Sequence, residues 1–472
     1  MDPYAKRIIS VTSTGSFLSV VNSSSLLIGI PAVIRGLHIS FLEAIWVLVS
    51  YGMVLTLLTP SFGKYSDSVG RKRLYSAGYV FFAFGSLVSS LSPDGVILLS
   101  GRIIQGFAGA LLFSNSLAII TDAMSPSELR NGMGINSAVI ALGTTIGPVI
   151  GGVLTLITWR LIFVFNIPLA ISGFLMSQAW IKGSHHRKEA NMDLPSTLSL
   201  SIFLVALVVF MTLAPGESFT NYSLILGMVS VILLFIIFII ADLRTKKPII
   251  DPALFKIRAF SSATYALITG TVLRFSILFG LIMFFQGPMG LTAFDAGILV
   301  IPYAGSMGVM SLAAGYLKGK ISDHAMQTIG LILASSGGII LALFVLYFPY
   351  PSLMAIPMVL AGGGNGFFYT PNSTISMLSV PADKRGETSG IRTLMTNLGS
   401  VLGLTLVFFT LVAEIPPEVV DNIFLGISSG IPKGTFHTFG FATSLAFLIS
   451  SIICASSLII MTKARANALK HT

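Results

Sequence analysis

Gly63-Lys64-Tyr65-Ser66-Asp67-Ser68-Val69-Gly70-Arg71-Lys72-Arg73 stands between two apolar runs, Ile45–Phe62 and Leu74–Leu91. Each run comes close to the ~20 residues a helix needs to cross ~30 Å of hydrocarbon. The polar stretch then reads as a turn at a membrane surface. Gly63 and Gly70 allow tight turns and close helix approach. Asp67 can face a helix N-terminus or an arginine, and Arg71, Lys72 and Arg73 can anchor at anionic lipid. An ordinary basic turn would explain the charges alone. The pattern returns about 256 residues later as Gly319-Lys320-Ile321-Ser322-Asp323.

Working outward, the chain holds fourteen such apolar stretches. The first seven are Ile8–Ile30, Ile45–Phe62, Leu74–Leu91, Val96–Ile120, Met133–Ile157, Leu161–Ile181 and Leu194–Leu213. The second seven are Tyr222–Ala241, Phe260–Gln286, Ala296–Leu317, Thr328–Phe348, Leu353–Leu378, Thr388–Val412 and Thr438–Thr462. Backbone polar groups in lipid must be satisfied within the segment, and these segments are too long and too uniformly apolar for barrel strands, so helices are expected. Composition agrees. Of 472 residues, 54% are hydrophobic and only 10% charged, against about 25% in a soluble domain. Mean hydropathy is +0.89. Such a chain is neither disordered nor a set of soluble domains. Its single cysteine, Cys454, excludes an intrachain disulfide. The first stretch is too long for a signal h-region and reads as an uncleaved first helix.

The net charge of +10 reads as membrane orientation rather than nucleic-acid binding. With the N-terminus cytoplasmic, 23 of the 28 basic residues fall on the inside, Lys384, Arg385 and Arg392 among them. Only Arg35, Arg160 and Lys433 fall outside, while Arg102 and Arg274 lie inside spans. This bias puts both termini in the cytoplasm of a multi-pass cell-membrane protein.

The two halves repeat each other. Pro126 and Arg130 recur as Pro381 and Arg385, Gly143 and Gly147 as Gly399 and Gly403, and Asn115-Ser116 as Asn372-Ser373. The expected organisation is an N-terminal six-helix bundle (1–181), cytoplasmic linkers with two extra spans (182–258), and a C-terminal six-helix bundle (259–472). Leu233 to Ile240 is apolar on every side, which suits a lipid-facing helix. Two parallel six-helix halves are the architecture of alternating-access carriers, with the site at mid-depth between them.

The Gly63–Arg73 stretch resembles the signature loop of the major facilitator superfamily, in which it latches the two halves on the cytoplasmic side. Arg102, Gln105, Gly106 and Gly109 match the family's fourth-span pattern. Gly143-x-x-x-Gly147-Pro148-x-x-Gly151-Gly152 matches the fifth-span pattern of exporters, where small residues allow close approach and Pro148 kinks the helix. Trp159-Arg160-x-x-Phe163-x-x-Asn166-x-Pro168, Trp46 with Tyr51, and Gln286-x-x-x-Gly290 followed by Ala296-Gly297 and Pro302 resemble the fourteen-span drug:proton antiporter family. That family usually carries an aspartate in the first span, where this chain has Asn22. None of its eighteen acidic residues lies inside a predicted span.

An ionisable side chain at mid-bilayer costs at least about 2.5–3.5 kcal/mol, so its presence points to function. For Arg102 a structural or gating role weighs more, because the family carries it whatever the substrate. For Arg274 a cavity role and a structural one weigh evenly. The candidate substrate contacts are Asn22, Tyr51, Arg102, Gln105, Arg274 and Asn365. The gating candidates are Gly63, Asp67, Arg71, Arg130, Gly147 and Pro148. Asn115, Asn136, Gln286, Tyr369, Asn372 and Asn397 are further polar mid-span residues that suit interhelical hydrogen bonds. Gly362-Gly363-Gly364-Asn365-Gly366 reads as a hinge or as plain helix packing. With no carboxylate in a span, proton coupling would use one near a helix end, such as Asp122, or a titrating substrate.

The leading expectation is a secondary active transporter. It would export small amphipathic compounds or drugs by alternating access, driven by a proton or another coupling ion. Its partners are a small-molecule substrate, the coupling ion and membrane lipid, with no nucleic acid, no cofactor and no metal. The alternative within transport is a specific exporter or importer of one organic anion or metabolite, an anion being able to pair with Arg274. A non-transporting membrane sensor is the rival from another class. No G-x-x-x-x-G-K-[ST] loop, nucleophile elbow or His-rich cluster points to a primary pump or an enzyme.

Overall fold

Apolar runs in lipid leave the backbone one local way to satisfy its polar groups. In the computed structural model all fourteen stretches are helical. The structure describes residues 2–124, 126–182, 194–213, 222–245, 252–317, 320–381, 384–425 and 434–468. Among the described residues there is no strand, and ten helices are long and apolar enough to cross a membrane. Two shorter apolar segments, Leu142–Thr155 and Leu198–Phe210, accompany them.

The chain divides into two units, Met1–Leu198 and Ser199–Thr472. Unit 1 contains α1 (Pro3–Leu37), α2 (Phe41–Val69), α3 (Arg71–Ser90), α4 (Gly95–Ala123), α5 (Pro126–Thr155), α6 (Leu161–Val164) and α7 (Asn166–Trp180). The boundary falls within α8 (Leu194–Leu213). Unit 2 continues with α9 (Tyr222–Arg244), α10 (Pro252–Lys256), α11 (Arg258–Gln286), α12 (Ala293–Leu299) and α13 (Ile301–Tyr316). It ends with α14 (Asp323–Tyr347), α15 (Pro351–Leu378), α16 (Arg385–Glu414), α17 (Pro417–Leu425) and α18 (Thr435–Ala468).

Local chemistry sets several boundaries. At the start of α2, Ser40 and Glu43 form a capping box: the Ser40 amide donates to Glu43 Oε2 at 2.8 Å and the Glu43 amide to Ser40 Oγ at 3.2 Å. Such a cap stabilises a helix end by about 1 kcal/mol. Asp94 caps α4 through the amide of Ile97, and Ser322 caps α14 through that of Ala325. Two predicted spans are each interrupted once, and proline explains both. Pro168 has no N–H for the carbonyl of Val164, where α6 ends. Pro302 has no N–H for that of Ile298, beside the break between α12 and α13.

The Gly63–Arg73 stretch departs from expectation. It is not a loop along its length: α2 runs through it to Val69, and the chain turns at Gly70 alone, with φ 103°. No proline follows Pro60 before that glycine, so nothing ends the helix sooner. The expected tight turn at Gly63 is therefore corrected to helix.

The sequence repeat is also a packing repeat. In unit 1, α1 packs on α5, α4 and α7, α4 packs on α2 and α3, and α3 packs on α7. In unit 2, α11 packs on α16, α15 and α18, α15 packs on α13 and α14, and α14 packs on α18. Each helix of the second set holds the place of its counterpart in the first. The core of unit 1 gathers Tyr75, Tyr79 and Phe82 of α3 against Leu18, Leu55, Leu112 and Ala170. α9 has no comparable core: Leu233, Phe235, Ile236, Ile237, Ile239 and Ile240 are exposed and only Phe238 of that stretch is buried. That surface suits contact with lipid chains.

Candidate functional site

In unit 1 the centre of the polar interior is Arg102, on α4 and 1% exposed. Its Nε donates to the Val47 carbonyl of α2 at 3.1 Å, and its Nη1 donates to Gln105 Oε1 at 2.7 Å. Gln105 Nε2 passes the connection to Ser86 Oγ of α3 at 2.8 Å. The guanidinium also lies 4.6 Å from the centre of the Tyr51 ring, whose hydroxyl donates to the Ser19 carbonyl of α1 at 3.3 Å. The network thus links four helices: the two bonds from the cation are charge-assisted, about 1.5–3 kcal/mol each, and the Gln105–Ser86 and Tyr51–Ser19 bonds are neutral, about 0.5–1.5 kcal/mol each. Glycines make this reach possible. A Cβ on Gly106 would stand 2.8 Å from the Tyr51 carbonyl oxygen, and one on Gly85 3.0 Å from the Gln105 amide nitrogen. The structure brings Arg102, Gln105 and Tyr51 together, with Nε and Nη1 of Arg102 engaged by Val47 and Gln105 and the Gln105 amide by Ser86.

Asn22 is fully buried on α1 and accepts a hydrogen bond from Asn166 Nδ2 of α7 at 2.8 Å. The pair leaves Asn22 Nδ2 and Asn166 Oδ1 without partners. Asn166 belongs to the Trp159–Pro168 motif, whose other members act at the end of the helices. Arg160 donates to the Ser92 carbonyl at 2.9 Å and stacks 4.3 Å from the Trp159 ring centre. Gly36 leaves room for that indole.

The gating candidates fall in two places. Arg71, first in α3, forms an ion pair with Asp122 at the end of α4 and donates to the Ala118 carbonyl at 3.2 Å. The Asp122 side chain is 54% exposed. The carboxylate considered for proton coupling is thus held by a residue of the signature stretch. Gly63, Asp67 and Arg130 lie outside the residues whose surroundings are described. Gly147 and Pro148 are buried in α5, Gly147 against α1. A Cβ on Gly147 would strike Ser24 Oγ, and one on Gly151 would strike the Ser25 carbonyl oxygen.

In unit 2 the Gly362–Gly366 run resolves as packing. A Cβ on Gly362 or Gly366 would strike the carbonyl oxygens of Tyr303 and Met307 on α13, and one on Gly364 would strike the Ala334 amide of α14. Asn365, between them, donates to the Gly270 carbonyl of α11 at 3.4 Å. Arg274 stands apart from these closed contacts. It is half-buried, its Nε has no hydrogen-bond partner, and its guanidinium carbon lies 5.0 Å from the Phe275 ring centre and 6.0 Å from that of Tyr369. Tyr303 lies within electrostatic reach of it.

A second cation faces the same tyrosine. Arg392 of α16 is 7% exposed, and its guanidinium carbon also lies 6.0 Å from the Tyr369 ring centre. Its Nη1 donates to Asn372 Oδ1 at 2.8 Å, to Ser376 Oγ at 2.7 Å and to the Asn372 carbonyl at 3.4 Å. Asn372 is itself fastened to the Ala263 carbonyl of α11 at 2.8 Å. Counting charges had placed Arg392 with the cytoplasmic basic residues, and the structure buries it instead. The signal was present: Arg392 lies four residues inside the predicted span Thr388–Val412.

Two bundles built to one plan from apolar helices, each with a cation held in its interior, define a polytopic membrane carrier. The chain belongs to the Major Facilitator Superfamily, whose profile matches residues 12–404. It is 29% identical over 401 residues to the Escherichia coli uncharacterized transporter YebQ, covering 83% of this chain and 86% of that one. It is 26% identical over 404 residues to the multidrug resistance protein Stp of Mycobacterium tuberculosis, covering 85% and 75%. Its fold is similar to a bacterial homologue of the human lysosomal transporter Spinster, with a TM-score of 0.66 at 15% identity over 100% of this chain and 98% of that one. The protein is a secondary transporter in a multi-pass membrane setting, not an enzyme.

Proposed function

We propose that the chain is a fourteen-span carrier that exports small amphipathic compounds by alternating access, driven by a proton or another ion gradient, with both termini in the cytoplasm. The observation that carries this reading is the packing repeat: the main helix–helix contacts of one six-helix set recur between the corresponding helices of the other. Two equivalent rigid sets are what a rocking mechanism needs. The likeness to Stp and the exporter-type glycines at the α1–α5 seam support the export direction. The Arg102, Gln105, Tyr51 network and the Asn22–Asn166 pair are assigned to holding unit 1 together during the cycle. Arg71 and Asp122, with Gly63, Asp67 and Arg130 of the signature elements, are assigned to the cytoplasmic latch, and Gly147 and Pro148 to the seam. Coupling runs through Asp122 when Arg71 releases it, or through a titrating substrate.

The test is flux in reconstituted vesicles with an imposed pH gradient of each sign. Gradient-dependent movement of an amphipathic dye in one direction supports the reading. Dye movement indifferent to every ion gradient would refute the coupling, and no gradient-driven flux of any compound tried would refute transport.

A further inference from the structure

We propose that Arg274, Tyr369 and Arg392 form a binding subsite in unit 2 for a small organic anion: a carboxylate or sulfonate on a flat, apolar body. This deepens the transport reading above and rests on it for the anion being cargo. Both guanidinium carbons lie 6.0 Å from one tyrosine ring centre, so the two charges are at most about 12 Å apart. Among the described residues nothing acidic answers them. Neither arginine forms a salt bridge among the described residues. α11, α13, α15 and α18 contain no Asp or Glu within their spans, and α16 carries Glu387 and Glu414 near its ends alone.

The two cations are prepared differently. Arg392 is aimed by three acceptors, all on Nη1. Arg274 keeps a buried Nε with no acceptor. A desolvated Nε–H without an acceptor is costly, and a carboxylate or sulfonate is the group that fits a guanidinium's donor fork. Tyr369, near both cations, supplies an aromatic surface for the apolar body of the same ligand.

The repeat supplies an internal control. Along the seam, Val20 faces Gly143 as Thr271 faces Gly399, and Ser25 faces Gly147 as Ser276 faces Gly403. The same register carries Arg274 onto Ser23 and Arg392 onto Asn136, and the Asn115–Asn372 match carries Tyr369 onto Leu112. Unit 1 packs in the same pattern with neutral residues at all three places. Packing alone therefore does not require the arginines. The cation of unit 1, Arg102, has by contrast spent Nε and Nη1 on Val47 and Gln105.

Fluorescein and rhodamine 123 share a xanthene frame and differ in the sign of their charge, which makes them a matched pair of probes. Binding to the purified full chain is read by fluorescence anisotropy, with 2-naphthoate as a smaller competitor. The parent is expected to bind fluorescein, to release it to 2-naphthoate, and to bind rhodamine 123 at least tenfold more weakly. Arg274→Gln should raise the fluorescein Kd tenfold or more, Arg274→Lys should recover part of the loss, and Arg258→Gln, which removes the same charge at the start of α11, should change nothing. Arg392→Lys keeps the charge where Arg392→Gln endangers folding, and should weaken fluorescein less than Arg274→Gln does. A parent that binds neither anion, or an Arg274→Gln protein whose fluorescein Kd stays within twofold, overturns the subsite. Flux in vesicles separates the two proposals: anion binding without flux of any compound leaves the subsite and removes transport, while rhodamine 123 flux without anion binding does the reverse.

Discussion

The α1–α5 seam allows a graded prediction along one helix. Gly143, Gly147 and Gly151 all face α1, but an added methyl group would meet different atoms at each. At Gly143 it would touch Val20 Cγ1 at 3.3 Å and Phe17 Cδ2 at 3.4 Å, the movable ends of side chains. At Gly147 it would strike Ser24 Oγ and come within 2.8 Å of Ser24 Cβ. The hydroxyl can turn away, at the loss of its bonds to the Val20 and Gly143 carbonyls, but Ser24 Cβ moves only with the backbone of α1. At Gly151 it would strike the Ser25 carbonyl oxygen and come within 2.9 Å of the carbonyl carbon and 2.6 Å of Ile28 Cγ2. Backbone cannot turn away, so α1 itself must shift.

Replacing glycine by alanine inside a helix gains about 0.8–1 kcal/mol. Gly143→Ala keeps most of that gain and should be neutral or slightly stabilising. At Gly147 the lost hydroxyl bonding, about 0.5–1.5 kcal/mol, already offsets it, and crowding at the one fixed atom Ser24 Cβ makes the change net destabilising, though less so than meeting backbone. At Gly151 overpacking costs about 1–3 kcal/mol, which exceeds the gain over most of its range. For a unit of this size each kcal/mol moves the melting temperature by about 2–4 °C. The expected order of apparent melting temperature in one detergent is therefore Gly143→Ala, then Gly147→Ala, then Gly151→Ala, with several degrees between first and last. Equal melting temperatures for the Gly143 and Gly151 variants would refute the close-approach account of this seam.

Gln105→Leu strips an acceptor from Arg102 and a donor from Ser86, so it should cost about 1–3 kcal/mol and lower the melting temperature by several degrees; an unchanged value would remove Gln105 from the network. Asn22→Leu and Asn166→Leu should each destabilise, because each leaves the opposite amide buried alone. The double variant should recover most of the loss, since it removes the two orphaned atoms as well, and additive losses in a double-mutant cycle would contradict the pairing. Asp122→Asn should leave the melting temperature nearly unchanged, because exposed ion pairs contribute about 0–1 kcal/mol, while gradient-driven flux falls. Full flux in that variant assigns coupling to the substrate.

What one dimension reveals here is whatever depends on local apolarity and on spacing. The helices, the repeat and the small residues of the seam are of that kind, because each follows from composition over a single turn or span. The polar interior is of another kind. Asn22 is identifiable as a buried amide, but its partner Asn166 is 144 residues away and belongs to a motif read for a different reason. The Gly362–Gly366 run looks as much like a hinge as a contact surface until the carbonyls of α13 and the amide of α14 are seen against it. Arg392 is the sharpest case. Near the end of a span, a basic residue that reaches out to lipid headgroups and one that turns back into the bundle have the same neighbours in sequence. The choice is made by acceptors elsewhere, here Asn372 and Ser376 on α15. An inside-positive count absorbs both kinds alike. It was therefore least able to find the one residue that doubles the positive charge around Tyr369. The asymmetry between two similarly packed halves lies in such substitutions, and a repeat read only for its likeness passes over them.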